Sequence, residues 1–109
     1  MKVFSLVAAV AAVYAFSMPA GAAVDAAAAT KALKDNGCTK CHSVDKSKKG
    51  PSYQKVAAKY KGKADAEAKL ADFLTQGPKV KMDDGSEEEH KALKDAGTAK
   101  NVVQFILAQ

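Results

Sequence analysis

The chain has 109 residues, a formal net charge of +5 at pH 7, and seventeen basic residues that are all lysines. A chain of this length forms one small domain with a thin core, which usually needs a disulfide, a metal or a cofactor for support. Because the lysines are interleaved with twelve acidic residues, the basic charge does not indicate a nucleic-acid-binding protein.

Residues 1–22 have the pattern of a secretory signal peptide. A short positive start is followed by an apolar run over residues 3–17 and by Ala20-Gly21-Ala22, a small-x-small cleavage site. The apolar run is too short for a convincing membrane span, which is the alternative interpretation. We predict cleavage after Ala22 or Ala23, which leaves one exported domain over residues 23–109 without stable membrane association.

The mature chain begins with a predicted helix over residues 25–36, which Gly37 ends. This helix leads directly into Cys38-Thr39-Lys40-Cys41-His42, and a C-x-x-C-H sequence is typical of c-type haem attachment. Two thiols at this spacing can add to the two vinyl groups of one haem, and the following histidine can bind the iron. A covalently bound haem would also support the thin core.

The two cysteines have three other interpretations: a structural disulfide, a thioredoxin-like redox pair, or half of a zinc site. A thioredoxin-like pair requires a β-α-β pattern around it, and the sequence has none. A zinc site requires four ligands, and only His42 and His90 remain to complete one. The export signal also favours haem attachment.

The rest of the chain predicts three further helices and no strand. Ser52 can cap a short helix, and residues 64–76 form an amphipathic helix that a Gly-Pro pair ends. Residues 79–97 have no regular pattern. Thr98 is the predicted N-cap of a last helix over residues 98–108. Because no stretch alternates with period two, the predicted fold is all-α.

Together these features resemble the short bacterial class I cytochromes c. The similarity is closest at Gly50-Pro51-Ser52-Tyr53 and residues 56–60, and it covers nearly the whole mature chain except residues 79–97. It implies a small cytochrome c fold of about four helices around one covalently bound haem c, with Leu33 of the first helix packed against the last helix. It also implies a periplasmic protein, because bacteria attach this haem outside the cytoplasm.

The resemblance also implies which residues bind the haem. Cys38 and Cys41 attach it, and His42 is the proximal iron ligand, whose second ring nitrogen donates to a backbone carbonyl. In the family this acceptor is the proline of the Gly-Pro turn, which corresponds to Pro51. Tyr53 belongs to the same haem-binding sequence.

The sixth iron ligand has two candidates. The family usually supplies a methionine before the last helix, and Met82 is the only methionine after the haem motif. Met82 has no adjacent proline, however, and lies far ahead of the predicted last helix. His90 lies nearer to the expected position, so we prefer His90 as the distal ligand and keep Met82 as the alternative.

The resemblance implies an electron carrier and not an enzyme: a monomeric, monohaem protein that exchanges single electrons with other redox proteins. Lysines around the haem edge would dock such a partner electrostatically, and the nearest in sequence are Lys40, Lys46, Lys48 and Lys49. The alternative is a haem protein with a labile sixth position that binds a small ligand, as a sensor or an enzyme. The absence of arginine argues against a peroxidase.

Overall fold

Over residues 24–109, which the computed structural model describes, four helices and one short hairpin line one cavity. The prediction of an all-α fold with about four helices is confirmed, with the hairpin as an addition to it. The elements in chain order are α1 (Ala26–Asp35), a 3₁₀ turn (Cys38–Lys40), α2 (Tyr53–Tyr60), α3 (Ala66–Gln76), β1 (Lys79–Lys81), β2 (Glu87–Glu89) and α4 (Ala96–Leu107).

The predicted signal peptide, residues 1–22, lies outside the described residues, and so does its cleavage site. Both therefore stay predictions. Within residues 24–109, no helix is both long enough and apolar enough to cross a membrane.

Side-chain caps set where the helices begin. The Asp25 carboxylate accepts from the backbone N–H of Ala28 (2.9 Å), and the Ser52 hydroxyl accepts from that of Lys55 (3.2 Å). The predicted N-cap of the last helix is wrong. Asp95 caps α4 instead, because its carboxylate accepts from both the backbone N–H and the hydroxyl of Thr98, each at 2.8 Å.

The core lies where α1 and α4 meet. Ala29 and Ala99 are both completely buried, and such small side chains allow two helices to approach closely. Leu33 packs in the same cluster, and Phe105 and Ile106 of α4 lie against it, so the predicted packing of Leu33 against the last helix is confirmed. The Asn101 amide then joins the two helix ends, since it accepts from the backbone N–H of Asp25 and donates to its carbonyl, both at 2.9 Å.

The prediction that the chain has no strand is wrong, because residues 79–97 contain a hairpin. Strands β1 and β2 pair antiparallel with Val80 opposite Glu88, and Gly85 supplies the positive φ (86°) in the turn between them. Periodicity could not reveal this hairpin, because each strand has three residues and only Val80 is apolar. Pairs of opposite charge stabilise the hairpin in place of apolar contacts, since Lys79 lies opposite Glu89 and Lys81 lies opposite Glu87.

Candidate haem-binding site

The C-x-x-C-H motif begins where α1 ends. Gly37 takes a left-handed conformation (φ 71°) and turns the chain into the 3₁₀ turn. Backbone N–H groups of Cys41 (3.1 Å) and His42 (3.0 Å) both donate to the Cys38 carbonyl and close this turn. The two cysteines are half-buried and line the same cavity as His42.

The structure gives no support to the other interpretations of the cysteines. The two thiols are not joined in a disulfide. Burial raises the pKa of the Cys38 thiol, whereas a thioredoxin-like thiol needs a lowered pKa to react. Among residues 24–109, no cluster of three or more His, Cys, Asp or Glu side chains could hold a zinc ion.

Backbone contacts fix the His42 ring in one orientation and one tautomer. Its Nδ1 lies 2.7 Å from the Pro51 carbonyl oxygen, the acceptor that the family resemblance implies. Because a carbonyl only accepts, Nδ1 carries the proton and the Nε2 lone pair is free for a metal. The ring lies flat against Gly50, where a Cβ would come within 2.8 Å of Nδ1, and Tyr53 stacks on it at 5.4 Å between ring centroids.

The hairpin and the end of α3 bring His90 to the cavity. The backbone N–H of His90 donates to the Pro78 carbonyl (2.9 Å), and that of Leu93 donates to the Leu74 carbonyl (2.8 Å). Gly77 makes this approach possible, because its φ is 58° and a Cβ there would lie 2.5 Å from the His90 carbonyl oxygen. Any other residue at position 77 would push the His90 segment away from α3.

The His90 ring, like the His42 ring, has its Nδ1 bonded to a backbone carbonyl and its Nε2 free to bind a metal. Its Nδ1 lies 3.0 Å from the Lys91 carbonyl oxygen, which again leaves Nε2 without a proton. The Phe73 ring packs edge-on against it at 4.8 Å between centroids. Burial is the main cause that lowers the pKa of His90, so the neutral imidazole that can bind a metal is favoured.

The spacing of the two imidazoles fits one haem iron between them. Their centroids are 6.1 Å apart, with an angle of 49° between the ring planes. With a metal–nitrogen bond of about 2.0 Å and a ring centroid roughly 1.1 Å beyond each nitrogen, two imidazoles that bound one metal from opposite sides would have centroids about 6.2 Å apart. The observed separation is close to this value, so the distance between the two rings is compatible with both of them binding one iron.

Met82, the other candidate for the sixth ligand, is half-buried and also lines the cavity. It directly follows β1, where its backbone N–H donates to the Ser86 carbonyl at 2.7 Å. The structure thus brings both candidates to the cavity.

The cavity has the size and the unsatisfied donor expected of a cofactor site. Its volume is about 470 Å³, within the usual range for such sites. The Tyr53 hydroxyl is buried there without a hydrogen-bond partner among the described residues. Burial raises the pKa of Tyr53 to about 12, so this hydroxyl stays a donor. A buried donor normally has an acceptor, and a group bound in the cavity would supply one.

Two residues that position His90 were not recognised as part of the site from the sequence. The sequence places Phe73 on the apolar stripe of the third predicted helix, and it predicts Gly77 only as the end of that helix. Both features are correct, since Phe73 lies on α3 and Gly77 is its C-cap. Their link to His90 depends on the hairpin, which the sequence pattern does not show.

Comparison with known proteins gives the same family from sequence. The family model for cytochrome c matches residues 26–108. The chain is 48% identical over 45 residues to cytochrome c-551 of Pseudomonas aeruginosa, which covers 41% of this chain and 43% of that protein. The matched stretches span between 43% and 60% of the length of the curated relatives.

Solved structures share the fold over a larger part of the chain. The class 1 cytochrome MtoD from Sideroxydans lithotrophicus ES-1 is 54% identical with a TM-score of 0.76, covering 79% of this chain and 97% of that one. Cytochrome c552 of Nitrosomonas europaea is 28% identical with a TM-score of 0.60, covering 72% of this chain and 95% of that one. The chain therefore belongs to the cytochrome c family, as a small class I c-type cytochrome with one covalently attached haem c.

Proposed function

We propose that the protein is a monohaem electron carrier whose iron has two histidine ligands. Cys38 and Cys41 hold the haem through thioether bonds, and His42 and His90 are its axial ligands. The observation that carries this proposal is the pair of imidazoles 6.1 Å apart, each with Nδ1 bonded to a backbone carbonyl.

The bound haem supplies a one-electron Fe(III)/Fe(II) couple. The protein fixes the two imidazoles in place, so neither ligand has to reorient when the charge of the iron changes. With both axial positions filled by protein side chains, no position is left for a substrate, which favours electron transfer over an enzymatic reaction. A second imidazole in place of a thioether favours the ferric state, and we expect a lower potential than a His/Met cytochrome c would have.

The distal ligand is tested by comparing His90→Ala with Met82→Ala in the holoprotein. We expect His90→Ala to convert the low-spin absorption spectrum to a high-spin one, while Met82→Ala leaves it low-spin. Met82→Ala is the matched control, because it also shortens a half-buried side chain that lines the same cavity. If only Met82→Ala removes the low-spin spectrum, the iron has a methionine ligand and our assignment is wrong.

The covalent attachment has a simple chemical test. Acid-acetone extraction should leave the colour in the protein pellet, because thioether bonds survive this treatment. A haem that moves freely into the acetone would contradict attachment at Cys38 and Cys41.

A wild-type holoprotein that is high-spin would favour the small-ligand binder over the carrier.

Export and electrostatic docking complete the proposal. The mature protein is a periplasmic monomer that starts near Ala23 or Val24, which intact-mass measurement of the secreted protein would test.

Exposed lysines attract a negatively charged redox partner, so the association rate should fall as salt rises. Among the lysines near the motif, Lys49 lines the haem cavity, whereas the Lys48 ammonium donates to the Thr39 carbonyl at 3.0 Å. A rate that does not respond to salt would contradict electrostatic docking.

A further inference from the structure

Positive charge is concentrated in one continuous part of the chain. Between Asp45 and Asp65 there are seven lysines and no acidic residue. The rest of residues 24–109 contains nine lysines and all twelve acids, so it is net negative. The interleaving of charges seen along most of the chain therefore stops across the loop after the haem motif and helix α2.

Five of these seven lysines surround the point where two cavities adjoin. The haem cavity and a second groove, on the other side of α2, share one lining side chain, that of Tyr60. The floor of the groove consists largely of the small side chains of alanines on α2 and α3. Of these five exposed lysines, three line the haem cavity and two line the groove. Together with Tyr60 we call them the α2 lysine face: Lys49, Lys55, Lys59, Lys61 and Lys63.

The ring of Tyr60 is the centre of this face. The ammonium groups of Lys59 and Lys63 lie 5.6 Å and 5.4 Å from its ring centroid. Gly62 lies between the two groove lysines, and a Cβ there would meet nothing within 4 Å, so the surface is open at this point.

Acidic groups near the face compensate only some of its lysines, since Asp65 attracts Lys63 and Asp84 attracts Lys49. Asp65 pairs with Lys69 at 2.8 Å. Glu67, which lines the groove, accepts a hydrogen bond from Gln104 on α4 at 3.1 Å. The ammonium groups of Lys55, Lys59 and Lys61 form no ion pair among the described residues and are available to carboxylates of another molecule.

We propose that the α2 lysine face is the docking surface for an acidic redox protein with a one-electron centre, and that electrons enter and leave the haem past Tyr60. This rests on the proposed function, and it selects one face among the lysines. Carboxylates of the partner pair with the lysines, and its surface covers the shallow alanine-lined groove. The Tyr60 ring then fills the space between the partner and the haem cavity.

The transfer is a simple one-electron exchange. A reduced partner centre loses one electron and the ferric iron gains it to become ferrous, or the reverse, with no bond made or broken. The Tyr60 ring shortens the gap that the electron crosses and is not itself oxidised. Its role is that of a positioning residue, so it should affect transfer within the complex and not the affinity of the complex.

The test uses the ferric holoprotein and a tetraglutamate peptide that carries a ruthenium tris-bipyridine group. After a light flash, the excited Ru(II) centre donates one electron to the iron and becomes Ru(III). Three variants remove the same charge from different places: Lys59/Lys61/Lys63→Gln on the face, Lys40/Lys46/Lys48→Gln at the motif loop, and Lys34/Lys94/Lys100→Gln, whose residues line neither cavity.

We expect the first variant to lower the second-order rate at low salt by roughly tenfold and to weaken its salt dependence, with smaller effects from the other two. Tyr60→Leu should slow the first-order transfer severalfold while the peptide Kd is unchanged. Equal effects of the three triple variants, or a larger effect at the motif loop, would overturn the proposal, as would an unchanged first-order rate in Tyr60→Leu. A wild-type iron that accepts no electron would instead contradict the proposed function itself.

Discussion

Gly50 shows how a single side-chain hydrogen can control the proximal ligand. A Cβ at this position would overlap the His42 ring, at 2.8 Å from Nδ1 and 2.9 Å from Nε2, although the φ of Gly50 is not in the left-handed region. We expect Gly50→Ala to displace the ring and to destabilise the holoprotein by about 1–3 kcal/mol in urea unfolding. Gly97→Ala is the control, since a Cβ there has only an ordinary contact at 3.5 Å. Equal stability of the two variants would contradict this steric role.

The Tyr53 hydroxyl provides a test of what fills the cavity. If it donates to an acceptor in the haem-filled cavity, Tyr53→Phe should lower the stability of the holoprotein by about 1 kcal/mol. The phenol is 5% exposed, so water outside the cavity cannot replace this partner. A neutral or stabilising effect in thermal unfolding would mean that the hydroxyl has no partner in the holoprotein either.

At the scale of elements, Gly77 and Gly62 form a matched pair of glycines. Both have a positive φ, of 58° and 77°, but a Cβ at Gly77 meets the His90 segment whereas one at Gly62 meets nothing within 4 Å. Each alanine substitution should cost about 1 kcal/mol for the left-handed conformation. Only Gly77→Ala should also move His90 and increase the high-spin fraction of the iron in the absorption spectrum. Identical spectra would show that His90 does not depend on the close approach.

The N-cap of α4 should make its stability depend on pH. Hydrogen bonds from Thr98 lower the pKa of Asp95, so the charged carboxylate is favoured in the folded protein. Its contribution is complete above the unfolded-state pKa of about 3.9 and is lost as pH falls through the lower folded value. Asp95→Asn should therefore be less stable than wild type near pH 7, and the difference should shrink in acid. A difference that is constant with pH would contradict this role of the charge.

Local sequence signals determine some element ends of this chain but not others. Elements with local signals were predictable, as with the cap at Ser52 and the glycine stops of α1 and α3. The start of α4 was misplaced because Asp95 and Thr98 are both good caps and only the folded chain decides between them. The preference for His90 as distal ligand rested on its distance from the predicted last helix, whereas the contacts that bring its ring to the cavity are long-range and no local pattern contains them.

At the scale of the whole molecule, Asn101 on α4 bonds to Asp25 at the start of α1, which lies 76 positions earlier in the sequence. Its two hydrogen bonds hold the N-terminal end of α1 against α4, where the hydrophobic core begins. We expect Asn101→Ala to destabilise the protein by about 1–2 kcal/mol, measured as a lower urea midpoint with an unchanged m-value. Lys100→Ala, an exposed neighbour on the same helix, is the control and should have little effect. Similar midpoints for both variants would show that the link contributes nothing.

The hairpin that carries His90 has a consequence for the order in which the protein opens. Its strands have three residues each, and among the described residues only two backbone hydrogen bonds and one from the Lys94 ammonium join the following segment to α3 and the residues directly after it. Such a unit is expected to detach locally at a lower free energy than global unfolding requires. The thioether bonds would keep the haem in place during this opening, while the sixth position of the iron becomes free for a moment. How fast small molecules such as cyanide reach the iron would then be set by the opening rate of the hairpin, and not by the strength of the iron–imidazole bond alone.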